Sequence, residues 1–419
     1  MDGNGRHLVN STKNVTCLLC GLRTVEEFLH LGSMALANKF LTEEELSLPE
    51  RAYPLAVGFC HTCGHVQLTQ ILPPEIMFED YLYISSASET LKAHLYDLSD
   101  IVFERYRLGS EDLVIDIGCN DGTLLSGFRR HGVRVLGVDP AANLAELTQG
   151  NGIDRFVGFF SARTAQQIVD RWGPATAITA TNTFPHIPDL QDFITGIQTV
   201  LAPGGVFVIE AHYLVDLLEQ GAFDTIYHEH VSYWALGAMI HFFNRSGMEV
   251  VNVERVPLHH GQIRAFVQRK GDGLVQSSVA QLLDVERSLG IHEVSTYQRF
   301  AEKTQKIKSD LHQTLQELRG AGKRLAGYGA PAKGNTLLSF LGIGPEALSY
   351  IVDRSSLKQG RYTPGLHIPV VPPERLLMDQ PDYVLLLAWN FVDEIVGQQA
   401  EYRRRGGRFI IPVPEVKVI

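Results

Sequence analysis

The sequence predicts an α/β protein built in three parts, and three observations carry that expectation. Apolar runs at 113–117, 134–138, 177–181 and 206–210 alternate with helical segments, the pattern of a parallel sheet with crossover helices. Two C-x2-C pairs, Cys17/Cys20 and Cys60/Cys63, stand ahead of these runs. A second strand–loop–helix unit opens at 324–341, with later strands expected at 350–352, 383–387 and 408–412. The parts read as a metal-binding module over 1–75, a cofactor-binding domain over 76–255, and a helical connector with a C-terminal α/β domain over 256–419.

The cysteines come first. Paired C-x2-C turns in a chain without secretory features point to zinc rather than disulfides. A structural zinc takes four tetrahedral ligands, and each turn presents two thiolates on one side. Cys17, Cys20, Cys60 and Cys63 are therefore the expected ligands of one structural zinc, with no open position for chemistry. The 39 residues between the pairs must fold as a small subdomain.

A helix is expected over 89–106, and then the cofactor loop. Val114 to Thr123 reads as strand, glycine loop and helix start, with Asp116, Gly118, Asn120 and Asp121 in or beside the turn. Asp139 ends the second strand, where an acid accepts ribose hydroxyls. The loop is G-x-x-x-G and lacks the third glycine of a dinucleotide fingerprint. Asp121 would also repel a pyrophosphate, whereas a cationic sulfonium suits an acidic loop. S-adenosylmethionine is the expected cofactor, with Asn182 after the next strand also facing it. The turn Leu201–Gly205 resembles one found in class I methyltransferases, which makes the central domain Rossmann-like.

Charge and hydropathy exclude other classes. A formal net charge of −10 leaves no basic surplus for a nucleic-acid backbone. No run of about 18 apolar residues exists to span a membrane, and the first residues lack the apolar stretch of a signal peptide. A cytoplasmic location follows as the expectation. Oligomeric state is left open, with a monomer as the simplest case.

Four blocks in order, the paired cysteines, 116–125, Tyr227-His228-Glu229-His230 and 327–336, resemble the C-methyltransferases of nucleotide-linked 4-keto-deoxysugars, over nearly the whole chain. The resemblance implies a dTDP-sugar substrate, methylated next to its ketone during branched-chain sugar biosynthesis. Carbon methylation there needs an enolate, hence a base and a donor to the enolate oxygen. The resemblance makes His230 the base, with Tyr227 and Glu229 beside it, Glu229 being read as the carboxylate that orients an imidazole. It adds His186 at a carboxyl end of the sheet and Tyr81 as a residue reaching the site. The C-terminal loop, Gly329, Ala330, Lys333, Gly334 and Asn335, is expected to cradle a pyrophosphate at a helix start. Asp353, Lys358 and Arg361 form a second polar stretch nearby. An NAD-dependent sugar oxidoreductase is the main competitor, and a zinc-ribbon methyltransferase acting on another substrate the second.

Overall fold

The stretch between the cysteine pairs folds as an antiparallel pair, β1 (Val25–Met34) and β2 (Tyr53–Cys60). The computed structural model describes residues 15–78, 84–258 and 261–419; the expected site residue Tyr81 lies outside them. A short β3 (Val66–Leu68) extends the pair. A fourth strand, β9 (Ser232–Tyr233), arrives from far along the chain to complete the order β1-β2-β3-β9. Gln67 pairs with Ser232 and Val66 with Tyr233, so the segment directly after Tyr227-His228-Glu229-His230 is a strand of the cysteine-bearing sheet.

The central sheet comprises β4 (Leu113–Ile117), β5 (Arg134–Asp139), β6 (Asp154–Val157), β7 (Ala175–Thr181), β8 (Leu201–His212), β10 (Met248–Val256) and β11 (Gln262–Arg269). Its order is β10-β11-β8-β7-β4-β5-β6. The first five are mutually parallel, and β11 runs antiparallel to both β8 and β10. All five residues of β4 are buried, as expected of a strand covered on both faces. Strand order reverses between β4 and β7, and the crevice at their carboxyl ends is where ligands of such sheets bind. Residue 255, expected as a domain boundary, falls inside the β10–β11 pair.

The expected helical connector is two helices, Ser277–Ser288 and Val294–Gly320, separated near Gly290, whose φ is +66°. Tyr297 of the longer helix is buried and stacks on Phe59 of β2 at 4.7 Å. The C-terminal sheet contains β12 (Leu325–Tyr328), β13 (Ile351–Val352), β14 (Val370–Val371), β15 (Tyr383–Leu386), β16 (Arg408–Ile411) and β17 (Lys417–Val418). They lie in the order β14-β13-β12-β15-β16-β17, all parallel but the last. First and last parts meet directly: Leu41 and Tyr362 exchange backbone hydrogen bonds of 3.0 and 2.9 Å. Glu50 accepts from the Gly365 N–H at 2.8 Å. Among the described residues, no helix is long and apolar enough to cross a membrane.

Candidate active site

Two tight turns build the cysteine centre. The Gly21 N–H bonds to the Cys17 carbonyl and the Gly64 N–H to the Cys60 carbonyl, each at 2.9 Å. These turns bring the four sulfurs within 4.8 Å of one another, with Cys17–Cys63 at 3.6 Å and Cys20–Cys60 at 3.7 Å. Sulfurs bound to one zinc at about 2.3 Å sit about 3.75 Å apart in a tetrahedron, so the quartet fits a zinc ion. Without a cation, burial pushes the Cys20 thiol up to about 11; a bound dication reverses that by stabilising the thiolate. Zinc here holds β1, β2 and their turns together.

The cofactor crevice opens on the loop after β4. Gly118 has φ +76°, and a Cβ there would lie 2.0 Å from Thr183 Oγ1, so only glycine fits. Asn120 also takes a left-handed φ of +52°. Its side-chain Oδ1 accepts from the Ser85 N–H at 3.0 Å, and Asp121 Oδ2 from the Ser86 N–H at 2.9 Å. These two side chains tie down the segment entering the helix Glu89–Tyr106. Asp139, at the tip of β5, accepts from the Asn120 and Ala141 N–H groups at 2.9 and 2.8 Å. Arg155, its side chain fully enclosed, donates to Asp139 Oδ1 at 2.9 Å and to the Ala141 and Asn120 carbonyls. Asp116 sits deeper, between β4 and β7, accepting from the Thr179 hydroxyl at 2.7 Å. Burial pushes its carboxyl up to about 7. Asn182 turns toward β11, where its Oδ1 accepts from Gln262. Three buried acids around a glycine loop suit a cationic sulfonium, the methyl donor that such a crevice binds.

Residues 227–230 form a turn, closed by the His230 N–H on the Tyr227 carbonyl at 3.0 Å. Such a turn brings its first and last side chains together: the Tyr227 and His230 rings lie 4.0 Å apart between centroids. His186, on a short 3-10 turn after β7, and His212, at the end of β8, stand 5.2 and 4.9 Å from His230. His230 Nδ1 lies 2.8 Å from the Thr225 carbonyl. A carbonyl only accepts, so Nδ1 carries the proton and the lone pair of the neutral ring is at Nε2. Burial, with His186 adding to it, pushes His230 down to about 3. His186 is half-buried with its ring stacked on Phe78, and desolvation and His212 take it also to about 3.

The middle of the turn faces elsewhere. His228 Nε2 donates to the Tyr53 carbonyl of the first sheet, 3.2 Å away. Glu229, expected to orient an imidazole, instead accepts from Asn38 Nδ2 at 2.7 and 3.0 Å and faces the Lys358 ammonium. The turn geometry is the reason, since adjacent side chains there diverge. A backbone carbonyl orients His230.

In the C-terminal part, Gly329 has φ +82° and no room for a Cβ, which would lie 2.7 Å from the Ala388 Cβ. The expected N–H cradle is already engaged: Gly329 N–H bonds to the Val352 carbonyl and Ala330 N–H to Asp353 Oδ2, at 2.7 and 2.6 Å. Lys358 donates to the Ala330 carbonyl at 2.8 Å. Gly334 packs the helix Ala332–Leu341 onto Leu387. Asn335 and Arg361 reach back to the Ala37 and Phe40 carbonyls. Lys333 donates to Asn390 Oδ1 at 2.5 Å and lies over the Trp389 ring. Trp389 and Asn390 also line a cleft of about 500 Å³ between the central and C-terminal parts. Sequence reasoning missed Asn38, Arg155, Thr225, Trp389 and Asn390. Only the last two had a signal, their place just past the carboxyl end of a parallel strand.

Comparison with known proteins agrees with this geometry. A methyltransferase domain matches residues 92–253, a zinc-binding domain 17–78, and the C-methyltransferase C-terminal domain 257–414. C-methyltransferase NovU of Streptomyces niveus is 38% identical over 404 residues, 96% of each chain. A ubiquinone biosynthesis O-methyltransferase of Burkholderia thailandensis is 25% identical over 35% of this chain and 68% of its own. The S-adenosylmethionine-dependent methyltransferase structure from Anabaena variabilis aligns over 48% of this chain and all of that one, at 15% identity and a TM-score of 0.34. With its cysteine quartet, its acidic crevice in a sheet of this order and a full-length relative of this similarity, the chain belongs to the zinc-binding, S-adenosylmethionine-dependent C-methyltransferases.

Proposed function

We propose that the enzyme methylates the carbon next to the ketone of a dTDP-4-keto-deoxysugar, through an enolate, in branched-chain sugar biosynthesis in the cytoplasm. The observation that carries the mechanism is the His230 Nδ1–H bond to Thr225, which directs a lone pair to Nε2 beside Tyr227 and His186. In this reading Nε2 removes the α-proton, and Tyr227 or His186 donates to the ketone oxygen as charge develops there. An imidazole near 3 is by itself a weak base. The enolate formed beside it is an opposite charge, which raises the imidazolium's pKa as the proton arrives.

Support for the substrate comes from placement. Ala330, Lys333, Asp353 and Lys358 gather at the carboxyl ends of β12 and β13, where α/β ligands bind, and the charge of Glu229, on the Tyr227–His230 turn, acts on Lys358. The sugar end would then lie at His230 and the nucleotide end toward the C-terminal part. The test is His230→Asn. Calorimetry should show S-adenosylmethionine affinity unchanged, while solvent-deuterium exchange at the α-carbon and methylation of dTDP-4-keto-sugars fall about 10²–10⁴-fold. Methylation at the wild-type rate would move the base to another residue.

A further inference from the structure

The short turn Phe223–Thr225 carries the carbonyl that holds His230, and the C-terminal part grips that same turn. Asp224 is fully buried, and its Oδ2 accepts the Trp389 Nε1–H at 2.7 Å. The Lys333 ammonium stands over the Trp389 ring, 4.4 Å from its centroid, and faces the Asp224 carboxylate. Phe223 packs edge-on against Phe340 of the helix Ala332–Leu341, which also carries Lys333, with centroids 5.4 Å apart. Two residues of the turn are thus seated in the C-terminal part, and the third presents its carbonyl to the base.

We propose that Asp224 is a positioning residue: clamped by Trp389 and Lys333, it fixes the Thr225 carbonyl and so the Nδ1–H tautomer of His230. The inference rests on the reading of His230 as base. A neutral imidazole has no strong tautomer preference of its own; the partner of one nitrogen decides where the proton sits. If the Thr225 carbonyl swings away, the tautomers mix and part of the population loses its lone pair at Nε2. The clamp is needed because a buried carboxylate must be compensated. Asp224 Oδ1 takes no hydrogen bond from the described residues, so the Trp389 N–H at Oδ2 and the nearby Lys333 charge compensate the carboxylate. Burial pushes the Asp224 carboxyl up and Lys333 down to about 8, as for a pair enclosed together. Lys333, which the sequence suggested as a pyrophosphate ligand, serves here to hold two parts of the enzyme in register. Trp389 and Asn390 line the cleft between these parts, so a molecule seated there touches the clamp.

The test uses the full-length zinc-loaded protein labelled with ¹⁵N-histidine. Long-range proton–nitrogen correlation spectra report which ring nitrogen is protonated, and the His230 signals are those lost in His230→Asn. Wild type should show the pure Nδ1–H pattern. Trp389→Phe keeps the ring without the donor, and Lys333→Met keeps the stem without the charge. Both should shift His230 toward mixed tautomers and lower kcat about tenfold, with S-adenosylmethionine affinity unchanged by calorimetry. That affinity also shows that the central domain is folded; Asp224→Asn is the milder variant if either of the others fails to fold. A pure Nδ1–H pattern retained in the variants overturns the proposal. Should His230→Asn methylate normally, the base reading falls, while the tautomer spectra still decide whether the clamp exists.

Discussion

Asp139 Oδ1 accepts from both the Ala141 N–H and Arg155, which fills its two lone pairs, whereas among the described residues Oδ2 accepts only from the Asn120 N–H. In the reading of Asp139 as the ribose ligand, Oδ2 is the acceptor left for a ribose hydroxyl. Asp139→Ala removes that contact and strands the enclosed Arg155 guanidinium. Loss of a hydrogen bond to a charged group costs about 1.5–3 kcal/mol, so calorimetry should show S-adenosylmethionine binding weakened about tenfold or more. Affinity equal to wild type would place the ribose elsewhere. His230 makes a second prediction at this scale. Its folded-state value near 3 lies below the ordinary 6.5, so the neutral ring's stabilisation is fully present above 6.5. As pH falls from 6.5 toward 3, the unfolded chain takes a proton that the folded one refuses. Between pH 7.5 and 5.0, wild type should lose about 2 kcal/mol more stability than His230→Asn, read by urea unfolding at both values. Comparing the two proteins cancels Asp116, which titrates in the same window with the opposite sign because burial raises it.

At the scale of elements, the cysteine centre and the Tyr227–His230 turn are one construction. β9 hangs the end of the turn on β3, the Leu68 N–H bonds to the Val231 carbonyl at 3.0 Å, and Ser232 meets His65 at 3.1 Å. Cys60→Ser should lower bound zinc to well under one per chain by elemental analysis, and methylation should fall with it although zinc performs no step. The cysteine spacing and the strand–loop–helix at Gly118 were legible in the sequence because each is a local pattern with a local cause. The glycine loop must turn where it turns, and two C-x2-C turns must share an ion. Asn38 against Glu229, or Thr225 against His230, was illegible because those meanings arise only when distant segments pack. The motif residues themselves could be read; the directions in which Glu229 and His228 point depend on a turn that the spacing alone left open. β10 and β11 escaped too, since they follow the parallel run and join it from the other side.

Across the whole molecule, the proposed site draws on three parts of the chain. Asn38 comes from the first, Glu229 and His230 from the second, Lys358 and Lys333 from the third. No single part holds the chemistry, which is why the resemblance had to span nearly the entire sequence to be informative. The central sheet alone accounts for a cofactor crevice and would say nothing of the acceptor. Polar joints between first and last parts include the Leu41–Tyr362 backbone pair, the Glu50 carboxylate against the Gly365 N–H and His367, and the Ala37 and Phe40 carbonyls against Asn335 and Arg361, so alanine at Asn335 should loosen that joint. A loss of about 1–3 kcal/mol is expected for leaving the buried Ala37 carbonyl unpaired, measurable as a lower urea midpoint.

The pairing of β9 with β3 also sets a timetable. His65 and Ser232 stand 167 positions apart, so a translating ribosome needs roughly 8–30 s to deliver the second after the first. Closing so long a loop costs only logarithmically in its length; the delay is one of supply. Through that interval β3 is an uncovered edge of the kind that recruits foreign strands. Nascent chains halted before residue 232 are therefore expected to associate with one another through that edge and to sediment, whereas chains released at full length cover it themselves.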